Sequence, residues 1–172
     1  MRKTLIAIVL TLIAAAGCSD VSRLKLSLRF PDADTDAATR QLLFVIREPG
    51  AGNPCDALWG PQPAGLAEFS RLVDYPNRND VVAAPLDVGT YTVLVYSYTT
   101  DLDQLCEADE DCSDSEVGTL CREIGADKKA CVSDNAGLVP LVGGCAEGTI
   151  DANGASDLTI DLETRTASVA GS

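Results

Sequence analysis

Between residues 23 and 30 the chain alternates without a break. Leu24, Leu26, Leu28 and Phe30 fall on one side, and Arg23, Lys25, Ser27 and Arg29 on the other. Successive side chains of an extended chain point to opposite faces, so this segment predicts a half-buried strand. Gln41 to Ile46 is apolar on both faces, bounded by Arg40 and Arg47 and closed by Pro49-Gly50, which predicts a strand covered on both sides. Thr90 to Tyr98 is rich in aromatic and β-branched residues and is the strongest strand signal in the chain. Ser156 to Glu163 alternates again after the turn residues Asp151-Ala152-Asn153-Gly154, with Leu158, Ile160 and Leu162 inward. Leu138 to Val142 is a short strand candidate, and Val81 to Leu86 is one demoted towards an edge by Pro85. Leu66 to Val73 suggests one or two helical turns.

Many short strands with little helical periodicity predict an all-β chain, an antiparallel β-sandwich spanning 23–163 with a tail at 164–172. The segment Asp87-Val88-Gly89-Thr90-Tyr91-Thr92-Val93 resembles the Gly-x-Tyr strand start of carboxypeptidase-regulatory-like domains, and Gly143-Gly144-Cys145 before a terminal alternating strand suits that resemblance. It implies an immunoglobulin-like or transthyretin-like sandwich and no activity.

The stretch 101–135 breaks the pattern. Residues 101 to 116 carry acids at Asp101, Asp103, Glu107, Asp109, Glu110, Asp111, Asp114 and Glu116 and no base. So polar a stretch lacks the means to build an apolar core of its own, which predicts a disulfide-tied loop insertion between strands. Cys106-x5-Cys112 resembles the start of cysteine-rich repeats in secreted proteins. Loops on rigid sandwiches carry recognition, so the insertion is the first place to look for function.

The N-terminus supplies an address. Arg2 and Lys3 precede an apolar run from Thr4 to Ala16, which is shorter than the roughly 20 residues a membrane span needs and reads as a secretory signal. Ala15-Ala16-Gly17-Cys18 resembles the lipobox of bacterial lipoproteins, departing from it in having Ala15 where a large aliphatic is usual. The resemblance implies a signal peptide at 1–17, lipidation of Cys18, a tether at 18–22 and anchorage to a membrane by acyl chains. Ser19 and Asp20 after the cysteine imply delivery to the outer membrane of a Gram-negative bacterium. Six cysteines then remain in an oxidising compartment, enough for three disulfides among 15 connectivities. Cys106, Cys112, Cys121 and Cys131 lie close together, leaving Cys55 and Cys145 as partners. Within the cluster the favoured pairs are Cys106 with Cys121 and Cys112 with Cys131. No C-x-x-C pair supports a zinc site instead.

Composition then removes whole classes of chemistry. The chain has 172 residues, 13 Lys plus Arg, 26 Asp plus Glu and no His. Without imidazole there is no Ser-His-Asp or Cys-His catalysis. Net charge is -13, and loss of residues 1–17 removes Arg2 and Lys3 but no acid, taking it to -15. Such an excess of acid argues against nucleic acid as a partner. Asp32-Ala33-Asp34-Thr35-Asp36 fails the EF-hand pattern, with Ala37 and Leu43 where Gly and Glu are needed, and reads as a solvated turn. A looser calcium site could draw on Glu107, Asp109, Asp111 and Asp114. Ser22-x-x-Lys25 matches S-x-x-K without the motifs that accompany it in penicillin-binding proteins. Arg23, Lys25 and Arg29 could face lipid phosphates, or the protein's own acids. Trp59 could pack at a sandwich edge or offer a stacking platform to a ligand. No other cofactor is expected.

These readings converge on a non-enzymatic cell-envelope lipoprotein, a binding or adhesion module whose ligand is an extracellular or periplasmic protein or glycan. A structural or assembly component of the envelope is the alternative, and a carboxylate-dependent hydrolase stands third.

Overall fold

Alternation and β-branched density place most strands where they form. The structure, a computed structural model, describes residues 25–48, 52, 54–60, 67–75, 86–125, 127–133, 138–150 and 157–165. In chain order the elements are β1 (Lys25–Arg29), α1 (Ala33–Ala38), β2 (Gln41–Arg47), β3 (Ala67–Asp74), β4 (Gly89–Tyr98), β5 (Leu120–Gly125), β6 (Lys128–Val132), β7 (Val142–Ile150), β8 (Asp157–Asp161) and β9 (Glu163–Thr164). Short 3₁₀ turns occupy Pro54–Ala57 and Asp109–Cys112. The signal peptide, Cys18 and the tether expected at the N-terminus lie outside the described residues, as does Val81–Leu86 apart from the buried Leu86.

A five-stranded antiparallel sheet in the order β3-β2-β4-β7-β9 forms the frame. Its central strands β2 and β4 are buried on both faces. Leu42, Phe44, Ile46, Val93 and Val95 point to one side. Leu43, Val45, Leu94, Tyr96 and Tyr98 point to the other. The first side is covered by β1 and β8, which contribute Leu26, Leu28, Leu158 and Ile160. Leu162 then carries the chain from β8 into β9 of the large sheet, so one alternating segment serves both layers.

The small layer departs from a wholly antiparallel sandwich, because β1 and β8 pair in parallel, from Lys25 opposite Asp157 to Arg29 opposite Asp161. The long connection between them leaves strand direction free, and this register sets Arg29 beside Asp161 on the outer face. Arg29 pairs with Asp161 at 3.7 Å, which favours internal pairing over lipid phosphate for this side chain.

Two elements differ from the sequence reading. Ala67–Asp74 is a strand, not helical turns, because its pairing with β2, from Asp74 opposite Gln41 to Ala67 opposite Arg47, outweighs a weak local preference. The strand sought at 138–142 runs instead from Val142 to Ile150. Its glycines hide it from propensity, yet they are what the packing requires. A β-carbon on Gly143 would lie 2.8 Å from the Trp59 ring, and one on Gly144 would lie 2.6 Å from the Asp161 carbonyl. Thr164, assigned above to the tail, pairs with Val142 in β9.

The insertion is no free excursion. Its hairpin β5-β6 lays Ile124, Ala130 and Val132 on the second face of the sheet, joined by Leu102 and Leu58. Its own centre consists of four buried half-cystines. Arg47, buried at the end of β2, reaches Asp127 at the hairpin turn at 4.0 Å, and the Tyr98 hydroxyl donates to the Ile124 carbonyl. Asp32 caps α1, accepting the Thr35 N–H at 2.7 Å, so the acidic turn read from sequence is one short helix. That hydrogen bond holds the Asp32 carboxyl below its ordinary value.

Candidate functional site

Where β2 begins and β3 ends, the sheet meets the insertion across an open groove of about 680 Å³. β2 and the residue before it supply Arg40 and Gln41, β3 and the residue after it supply Arg71 to Tyr75, and the insertion supplies Asp101 to Asp103, Glu116 and Val117. Gln41, buried despite its amide, joins the walls. Its Nε2 donates to Asp74 Oδ1 at 2.9 Å, and its Oε1 accepts the Leu102 N–H at 2.5 Å. A buried amide with both ends engaged fixes the relative position of the segments it links.

Arg40 bridges to Asp101 of the opposite wall at 3.8 Å, and each wall is also held from behind. On the sheet side the Tyr75 hydroxyl donates to Asp36, and its ring packs on Phe30 with centroids 5.4 Å apart. On the insertion side Asp103 accepts the Glu116 N–H at 3.1 Å, and Ser115 Oγ accepts the N–H groups of Val117 and Gly118. Arg71 is exposed and has no partner among the described residues. The result is a pre-formed, mostly polar cleft that offers hydrogen bonds and charge, with Leu72, Leu102 and Val117 as its apolar patches.

The disulfides join Cys55 to Cys145, Cys106 to Cys121 and Cys112 to Cys131, the pairs favoured by spacing. Cys121 and Cys131 face each other across the β5-β6 hairpin, so each strand is stapled to the segment 106–112.

Two of the four calcium candidates are occupied with backbone groups. Asp111 accepts the N–H groups of Glu107 and Ala108 at 2.8 and 3.0 Å, which lowers its pKa. Asp109 accepts the Cys121 N–H at 2.8 Å and pairs with Arg122 at 3.2 Å. Glu107 and Asp114 are exposed. Among the described residues, the potential ligand atoms that converge in threes are the sulfurs of Cys106, Cys112 and Cys131, already oxidised in disulfides. Among the described residues the carboxylates of these four acids do not converge in threes, and Asp109 and Asp111 shape the insertion.

Trp59 packs against the sheet. It is wedged over Gly143 and meets Tyr96 edge-on, with centroids 5.9 Å apart. The Tyr96 hydroxyl donates to the Leu58 carbonyl at 2.7 Å. Burial pushes the pKa of Tyr96 and Tyr98 well above the phenolic range, so both are neutral packing groups.

Sequence reasoning pointed to the insertion but missed the groove. Arg40, Gln41, Arg71 and Asp74 lie 27 to 76 positions from Asp101, Asp103 and Glu116 across the groove. The one usable signal was Gln41, a polar residue opening an otherwise apolar run.

No known protein family matches the sequence, and no curated protein is similar to it. Among solved structures, a protein of Bacteroides thetaiotaomicron described as a candidate polysaccharide-binding protein is similar, at 12% identity and a TM-score of 0.39. The alignment covers 82% of this chain and 46% of that one, so this chain spans less than half of its length.

Proposed function

We propose that this chain is a lipid-anchored protein of the bacterial envelope, a non-enzymatic binding module on an immunoglobulin-like or transthyretin-like sandwich, and that its ligand sits in the groove between β3 and the insertion. Support for the anchor comes from the lipobox-like Ala15-Ala16-Gly17-Cys18. Support for binding comes from a single observation: two walls distant in sequence are braced separately and clamped by buried Gln41 around an open polar cleft. Pre-organisation of this kind lowers the ordering cost of binding.

Lipidation is tested by the intact mass of the membrane-extracted protein, where an unmodified Cys18 would remove the anchor. Binding is tested by probing peptide and glycan arrays with the protein and with Arg71→Glu and Glu116→Lys variants of unchanged fold. Captured ligands should be lost or exchanged in the variants. Identical array profiles would remove the groove as the site.

A further inference from the structure

Among the described residues β3 is the outermost strand on its side of the five-stranded sheet. The Tyr75 N–H donates to the Arg40 carbonyl at 2.6 Å, and Gln41 lies opposite Asp74. In an antiparallel ladder, residues alternate between pairs that exchange hydrogen bonds and pairs that do not. The groups of Val73 therefore turn towards Leu42 of β2, while the N–H and C=O groups of Leu72 and Asp74 turn outward. Both outward-turned residues line the groove. No described residue beyond β2 pairs with this strand.

The charges around that edge have a sign. Asp74, Asp101, Asp103 and Glu116 border the groove against Arg40 and Arg71, and Arg40 is already paired with Asp101. An open strand edge recognises extended backbone, and alternate side chains of an added strand fall on one face, spaced to meet a charged wall. Resting on the groove as the binding site, we infer that its ligand is an extended cationic peptide segment that adds as a strand to the outer edge of β3. Its backbone pairs with Leu72 and Asp74, and its Lys or Arg side chains, two residues apart, face the acids of the insertion.

The test uses the full-length oxidised protein and a fluorescein-labelled octapeptide alternating Lys and Thr, followed by fluorescence anisotropy. Two further peptides carry N-methyl groups on one or the other alternate set of residues, and a third has Glu in place of Lys. One N-methylated set should weaken binding about tenfold and the other by less than about twofold, because only one set of N–H groups faces β3. The Glu peptide should not bind, and Glu116→Lys should weaken the parent peptide about fivefold. Equal effects of the two methylated sets would overturn strand addition in favour of attraction by charge. If these peptides fail to bind while an array ligand remains sensitive to Glu116→Lys, the inference falls and the groove stands. If nothing that binds responds to the groove variants, the groove itself falls.

Discussion

The two faces of the central sheet are covered by opposite means. One lies under β1 and β8, whose alternating leucines and isoleucines bury an ordinary aliphatic layer. The other lies under an acidic insertion that offers Leu102, Ile124, Ala130 and Val132 and is centred on two disulfides. The first cover gains its stability from apolar area removed from water. The second adds to its apolar contacts two cross-links that restrict its unfolded state. A polar cap anchored at its base leaves a charged cleft where it meets the sheet, and the proposed function rests on that second cover.

Breaking the cross-link that closes the longest loop should have the largest effect. Cys55–Cys145 spans 90 residues and ties the 3₁₀ turn under Trp59 to β7. Replacing both cysteines by Ser should cost about 4 to 5 kcal/mol by chain entropy, read as a lowered midpoint in urea denaturation. Ile160→Ala strikes the aliphatic cover at a fully buried position and should cost about 3 kcal/mol, with the insertion's disulfides left intact. Removing Cys112 and Cys131, separated by 19 residues, should cost about 3 kcal/mol or less. Here the discriminating measurement is hydrogen exchange. Protection should fall in β5 and β6 and persist in β1 and β8; a uniform loss would show that the covers are one cooperative unit.

The smallest effect belongs to pH. Asp111 has its folded pKa depressed below 3.8 by the Glu107 N–H and then the Ala108 N–H. A depressed carboxylate contributes stability that is present above its unfolded pKa and is lost as pH falls through the folded one. Acidification below the ordinary carboxylate range should therefore loosen the 106–112 segment, followed through its amide signals by NMR. In an Asp111→Asn variant that acid-dependent step should shrink.

The aliphatic cover was largely legible beforehand. Leu26, Leu28, Leu158 and Ile160 declare their face by alternation, β2 declares two buried faces by its apolar run, and β4 declares a strand by its aromatic and β-branched residues. β7 was not legible past Val142, because Gly143 and Gly144 answer to Trp59 and to the Asp161 carbonyl, neighbours that no local window contains. β3 was misread because an edge strand with charged residues at Arg71 and Asp74 carries little periodic signal until β2 lies beside it. The acids of the insertion were visible as a block, but their division of labour was not. Asp109 and Asp111 satisfy backbone N–H groups, whereas Asp101, Asp103 and Glu116 border the groove.

By itself the sequence determined a largely β chain, one strand buried on both faces and the composition of an acidic, cysteine-tied insertion. It also excluded imidazole chemistry and specified the lipobox-like start. These are properties of residue type and near-neighbour spacing, on which solvation and backbone geometry act directly. The parallel pairing of β1 with β8, the docking of the insertion on the second face and the groove beside β3 were decided by tertiary structure. Each depends on which distant surfaces complement one another, and in the groove that means Gln41, Asp74 and Leu102 meeting across gaps of 33 and 61 residues.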